Sequence, residues 1–168
     1  LLDVTVEQNW IDVIAECIDR FGCINALVNN AGITGKGGNV TEPSVAQWDE
    51  QMEVHAKGAF LGTKHVIPYM IENGGGSIVN ISSINGLIAT PNTTAYDVAK
   101  AAVRHLTKST AVQYATYNIR ANSIHPGYAW TPMTEASFSQ PENYQLRVVR
   151  VPMGKMASAD DIAWGIVY

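Results

Sequence analysis

The sequence predicts an α/β fold built on a doubly wound parallel sheet. Three observations carry this reading. Short apolar runs of strand length recur at residues 24–29, 77–82 and 119–125. Segments of helical periodicity separate them. Each run ends in Asn, Ser, Pro or Gly rather than in a hairpin turn. In open sheets of this kind, ligands sit beyond the carboxyl ends of the strands. Asn29-Asn30-Ala31-Gly32, Ser82-Ser83 and Pro126-Gly127 are therefore expected to converge on one crevice.

The elements follow in chain order. Residues 6–21 place Val6, Trp10, Val13, Ile14, Cys17, Ile18 and Phe21 on one helical stripe, and Gly22 stops the helix. The run INALVN (24–29) suits a buried parallel strand. A glycine-rich loop, NAGITGKGG, comes next. Residues 45–73 read as one long helix with Pro68 as a kink, ended by Gly74, Gly75 and Gly76. SIVNIS (77–82) is the second strand. A helix over 94–117 and a third strand, IRANSIH (119–125), complete the pattern. From Thr131 to Val149 periodicity is lost, and Pro132 and Pro141 predict an irregular, mobile segment over the crevice. Ser158 with Asp161 three residues on reads as the cap of a last helix that still runs at Tyr168. The opening LLDVT reads as the tail of a strand. The whole is expected to be a single domain, 1–168, that forms the central and C-terminal body of a larger one.

Bulk properties narrow the function classes. With 168 residues the chain is long enough for a real core, and 46% hydrophobic against 15% charged residues excludes a disordered chain. A net charge of −4 with no basic block gives nucleic-acid binding no electrostatic support. No apolar run is long enough to span a bilayer. Cys17 and Cys23 are too few for a zinc site, so no metal is expected, and both read as buried thiols of a reducing, cytoplasmic compartment.

The chemistry-bearing stretch is TTAYDVAKAAVRHL (93–106). On a helix, Tyr96 and Lys100 lie one turn apart on one face. A phenol held beside an ammonium can serve as both acid and base. Four motifs occur in order: NNAG (29–32), SIVNISS (77–83), YDVAK (96–100) and IHPGYAWTPM (124–133). Together they resemble the short-chain dehydrogenase/reductase (SDR) family, in its classical branch, and the resemblance covers the whole chain.

That resemblance implies a Rossmann-type fold, NAD or NADP as cofactor, and interconversion of a secondary alcohol and a ketone. Tyr96 would be the general acid and base. An ordinary phenol, with a pKa of about 10, would need lowering by roughly three units, or about 4 kcal/mol. An ammonium at about 5 Å supplies roughly 3 kcal/mol at an effective dielectric near 20. Lys100 is therefore expected to do most of this and also to bond the nicotinamide ribose. Ser83, thirteen residues before Tyr96, would hold the substrate oxygen. Ser82 would point the other way and bond nearby backbone. Asp3 and Val4 match the position that contacts the adenine ring, although Asp3 or Thr5 is equally suited to cap the first helix. Asn29, Ala31 and Gly32 would pass the adenosine half. Pro126, Gly127, Ala129 and Thr131 would contact the nicotinamide, with Ala129 in place of the usual Val or Ile. Trp130 and Met133 would pack or line the substrate site. The resemblance also implies a homodimer or homotetramer built on the helices at 45–73 and around Tyr96.

Two departures stand out. His55 occupies the place of the usual relay Asn. It is expected either to keep a proton relay and make it pH-dependent or merely to bond a backbone carbonyl. No G-x-G-x-x-G turn is present, so the choice between NAD and NADP stays open. The absence of G-x-S-x-G disfavours a hydrolase. The competing reading is a catalytically inactive SDR-fold fragment acting as a structural or interaction module. Phe138, Tyr144, Leu146 and Met133 favour an apolar substrate.

Overall fold

Residues 1–167 are described by the structure, a computed structural model. Strands β1 (Ala26–Asn29), β2 (Gly76–Ile81) and β3 (Ile119–Ile124) form a parallel sheet in that order. The register pairs Asn29 with Asn80 and Ile81 with Ile124, so the three carboxyl ends are level. Helix α1 (Glu7–Phe21) precedes β1, α2 (Val45–Gln51) and α3 (Gly58–Glu72) lie between β1 and β2, and α4 (Thr94–Tyr114) lies between β2 and β3. β1 and β2 are each followed by a helical return to the next strand, which is what permits parallel pairing.

The stripe on α1 buries Trp10 and Ile14 against Leu61, Val66, Ile67 and Met70 of α3 and against Ile78 and Ile119 of the sheet. Its two ends, Val6 and Phe21, stay exposed. Gly22 closes α1 in the left-handed conformation, φ 78°, with its N–H on the Ile18 carbonyl at 2.8 Å. A β-carbon disfavours that conformation, which is why glycine stands there.

One buried polar chain ties the layers together. Asn29 Nδ2 donates to Asn80 Oδ1 at 2.8 Å, Asn80 Nδ2 to Thr107 Oγ1 at 2.8 Å, and Thr107 Oγ1 to the Val103 carbonyl at 2.8 Å. Adjacent strands β1 and β2 are thus pinned to α4 by buried amides and a hydroxyl that pair with one another, although Asn29 Oδ1 is left buried without a partner.

The thiols are not both buried, since Cys23 is exposed and Cys17 half-buried, and β1 leaves Ala26 and Val28 exposed. Four further sequence expectations need correction. First, the segment 45–73 is not one α-helix. A π-helical stretch, Met52–Lys57, separates α2 from α3, while Pro68 lies inside α3 without ending it. Second, Thr131 to Val149 is not irregular. It forms helices α5 (Pro132–Phe138) and α6 (Pro141–Val148). The two prolines that read as breakers sit at the first helical position, where a missing N–H costs nothing. Third, Leu1–Asp3 form no strand. Asp3 Oδ1 instead accepts from the Thr5 N–H at 2.9 Å and its hydroxyl at 2.8 Å. Fourth, α4 ends at Tyr114, and Ala115–Tyr117 continue as a 3₁₀ turn.

A second, small parallel sheet pairs β4 (Ala129–Trp130) with β5 (Ala157–Ser158). It fixes the base of the α5–α6 excursion. Ser158 and Asp161 bond reciprocally at the start of α7 (Ala159–Val167), as a capping pair should. The expectation that this helix still runs at Tyr168 lies outside the described residues. No helix among the described residues is long and apolar enough to cross a membrane.

Candidate active site

The level ends of β1, β2 and β3 open into a cleft of about 740 Å³. Its walls gather Ala31 and Gly32 from β1's end, Ser83 from β2's end, Tyr96 and Lys100 from α4, and His55 from the π-helical stretch. Pro126, Gly127, Ala129 and Thr131 follow β3. Ten residues spread over a hundred positions of chain thus share one hollow.

Ser82 and Ser83 face opposite ways, as alternation along a strand requires. Ser82 Oγ donates to the Lys100 carbonyl at 2.8 Å, a buried bond that locks β2 to α4. Ser83 Oγ accepts the Asn85 N–H at 3.1 Å, which leaves its own O–H free to donate. The Ser83 carbonyl meets His125 Nδ1 at 3.0 Å, and His125 Nε2 meets Ser123 Oγ at 2.8 Å. The end of β3 therefore braces the loop that carries Ser83.

Tyr96 lies in the first turn of α4. Burial raises its pKa above the ordinary phenol value. The Ser83 hydroxyl opposes that rise, and the Asp97 carboxylate adds to it. Lys100 is 4% exposed, and its Nζ donates to the Ile81 carbonyl at 2.9 Å. Burial lowers its pKa to about 8. The ammonium stands 5.7 Å from the centroid of the Tyr96 ring. Burial thus outweighs any lowering of the phenol by Lys100. The lysine bonds a backbone carbonyl and stands near the ring, and desolvation weakens its own hold on a proton.

His55 is 2% exposed and packs edge-to-face on Tyr96, with ring centroids 5.3 Å apart. Its Nε2 meets the Ile33 carbonyl at 3.1 Å, and its Nδ1 is buried without a partner. Burial, with Lys100 nearby, lowers its pKa to about 4. The imidazole is thus neutral at physiological pH, and of its two expected roles the bond to a backbone carbonyl is the one seen here. Gly32 makes room for it: a β-carbon there would stand 2.8 Å from His55 Cε1.

Other predicted residues lie nearer the edge. Val4 and Asn29 line an adjoining cavity of about 330 Å³ that also touches Ala31, His55 and Lys100. The Asn29 amide is committed to the interior chain with Asn80. The Asp3 carboxylate is committed to Thr5, and the N-cap of α1 is Val6, so neither Asp3 nor Thr5 caps that helix. A third cavity, about 310 Å³, shares Tyr96 and Met133 with the main cleft and adds Phe138, Gln51 and Arg147. Tyr144 instead packs on Trp130 at 6.1 Å, and Leu146 is largely exposed. Sequence reasoning missed Asn85, Asp97 and His125. Their signals were adjacency alone: Asp97 follows Tyr96, and Asn85 lies two residues after Ser83.

A parallel sheet whose strand ends assemble such a cleft defines a Rossmann-type domain. The family model described as Enoyl-(Acyl carrier protein) reductase matches residues 1–168. The chain belongs to the short-chain dehydrogenase/reductase family. It is 41% identical over 168 residues to 2-(R)-hydroxypropyl-CoM dehydrogenase of Xanthobacter autotrophicus, covering 99% of this chain and 67% of that protein. It is 41% identical over 165 residues to trans-4-hydroxycyclohexanecarboxylate dehydrogenase of Sinomonas cyclohexanicum, covering 96% and 59%. Among solved structures, levodione reductase superposes with a TM-score of 0.94 at 33% identity, over 98% of this chain and 66% of that one. A gluconate 5-dehydrogenase from Burkholderia cenocepacia, in complex with NADP and tartrate, gives 0.91 at 32% identity, over 98% and 64%. The chain thus spans 59–67% of the length of these two curated relatives.

Proposed function

We propose that the protein is an NAD(P)-dependent oxidoreductase that interconverts a secondary alcohol and a ketone, with Tyr96 as general acid and base. The observation that carries this reading is that Tyr96, Ser83 and Lys100 line the same 740 Å³ cleft as Pro126, Gly127, Ala129 and Thr131. The walls fit the nicotinamide-ribose half of the cofactor. A β-carbon added at Gly127 meets nothing within 4 Å, so the turn after β3 faces open space. Lys100 spends one N–H on Ile81 and keeps others for ribose hydroxyls. When bound, the nicotinamide supplies or accepts the hydride.

The chain's own groups manage the proton and the oxygen. Ser83 directs its free O–H at the substrate oxygen. Tyr96, kept protonated by burial, gives its proton to a carbonyl oxygen during reduction. In the reverse direction it must first lose that proton. Because its pKa is raised, the donor form persists throughout the neutral range and the acceptor form grows only as pH rises. Reduction is accordingly expected to be fast at pH 7 and oxidation to climb through the alkaline range. The apparent ionisations belong to Tyr96 and Lys100 jointly.

The body of the substrate extends past Tyr96 into the 310 Å³ cavity, where Met133 and Phe138 favour an apolar frame. Exposed apolar residues on α3 and α4, Phe60, Val98 and Val112, support assembly as a homodimer or homotetramer. A panel of secondary alcohols and ketones with NAD(H) and NADP(H) tests the function. Turnover with the stated pH asymmetry is expected. Nucleotide binding without turnover of any of them would mark an inactive member serving as an interaction module.

His55 acts here as a neutral hydrogen-bonding ring. His55→Asn should leave the pH–rate profile unchanged between pH 5.5 and 9, because a group with a pKa of about 4 does not titrate there. An ionisation near 6.5 in the wild type that vanishes in the variant would contradict this.

A further inference from the structure

Directly after Tyr96 stands a carboxylate with both oxygens engaged. Asp97 Oδ1 accepts from Asn85 Nδ2 at 2.7 Å, and Oδ2 accepts from the Thr90 N–H at 3.0 Å. The same Asn85 amide reaches Thr90 Oγ1 at 2.8 Å, while the Asn85 backbone N–H holds Ser83 Oγ at 3.1 Å. A single side chain on α4 therefore grips the loop between β2 and α4 at two points. One of those points, through Asn85, sets the hydroxyl of Ser83.

We propose that Asp97 is a positioning residue: its carboxylate locks the loop carrying Ser83 to the helix carrying Tyr96, and its charge biases the site toward proton donation. The inference rests on the reading of Tyr96 as the proton-transfer group. Without the clamp, Ser83 and Tyr96 sit on separate segments joined by twelve intervening residues. Their hydroxyls would have to find one substrate oxygen at an entropic cost. The negative charge also opposes formation of a second one on the neighbouring phenol. Its contribution to Tyr96 has that sign. The other charged or titratable groups around Tyr96 are Lys100 on α4, His55 on the π-helical stretch, and Lys36 and Arg147 on the walls of the 310 Å³ cavity. His55 is neutral, and the remaining three are cations. Asp97 is thus the anion of the group.

The test uses Asp97→Asn, which removes the charge with little change of shape, and Asp97→Glu, which restores it. The first readout is the fraction of Tyr96 phenolate at pH 10, followed by NMR of ring-labelled tyrosine and assigned by the signal missing from Tyr96→Phe. It needs no turnover. Asp97→Asn should raise that fraction about three- to tenfold, and Asp97→Glu should return it toward wild type. An unchanged fraction in Asp97→Asn would overturn the electrostatic part. The second readout is kinetic: Asp97→Ala should lower kcat for reduction at least tenfold with the KM for cofactor unchanged. An unchanged kcat would overturn the positioning part. If the wild type turns over no alcohol or ketone, the function falls, while the phenolate measurement still decides the role of Asp97.

Discussion

Tyr96→Phe should lower turnover in both directions by about two to four orders of magnitude, the usual worth of a positioned general acid or base. The substitution removes one oxygen and little else. The ring keeps its edge-to-face contact with His55 at 5.3 Å and its place beneath the Lys100 ammonium at 5.7 Å. Thermal stability should therefore change little. Cofactor affinity should also hold, because Lys100 and the wall from Pro126 to Thr131 remain. The expected signature is a loss of kcat in single-turnover hydride transfer, with nucleotide binding by fluorescence within about twofold of wild type. Residual turnover within tenfold of wild type would remove Tyr96 from the chemistry.

Lys100→Met should stabilise the fold while abolishing activity. Burial displaces the Lys100 pKa from 10.5 to about 8. At 1.36 kcal/mol per pH unit that corresponds to about 3 kcal/mol of cost to the folded state. The sign follows from proton counting. Below pH 8 lysine is charged in both states, so the cost is present in full. Between pH 8 and 10.5 the unfolded chain holds the proton that the folded chain has shed, and stability recovers as pH rises. Methionine keeps the volume and loses the charge. It also forfeits the bond to the Ile81 carbonyl, worth about 1 kcal/mol. A net gain of about 2 kcal/mol is expected, or a Tm higher by roughly 4–8 °C for a domain of this size. The gain should shrink above pH 8. A variant less stable than wild type at pH 7 would show that the lysine is supported in ways burial alone does not capture.

These two side chains illustrate what was legible in the sequence. The spacing of Tyr96 and Lys100 on a helix, and of Ser83 before them, is local information, and all three stand together as the motifs imply. Their electrostatics is not local. It depends on how much solvent the assembled fold removes and on where a flexible ammonium finds an acceptor. Tyr96 is itself desolvated, so the phenol rises where charge pairing alone has it fall. The strands were readable because apolar runs of that length have few alternatives. Their bounds slipped by one or two residues, since Ile24 and Asn25 precede the ladder proper.

The π-helical stretch at Met52–Lys57 leaves the same apolar pattern as an α-helix over so short a span, and only the chain's path reveals it. Pro132 and Pro141 misled for a different reason. A proline marks the start of a helix as readily as its end, and the choice depends on what precedes it. Asn80 sits in the middle of an apolar strand and offers no local hint of its partners. Asn29 and Thr107 are 51 and 27 residues away.

Direct titration of the Tyr96 phenol, by NMR of ring-labelled protein with and without oxidised NAD(P), probes the heart of the mechanism. Tyr96 should remain protonated past pH 10 in the free protein and should ionise at lower pH once the positively charged nicotinamide is bound. A phenolate already present near pH 7 in the free protein would contradict proton donation by a phenol that burial keeps intact.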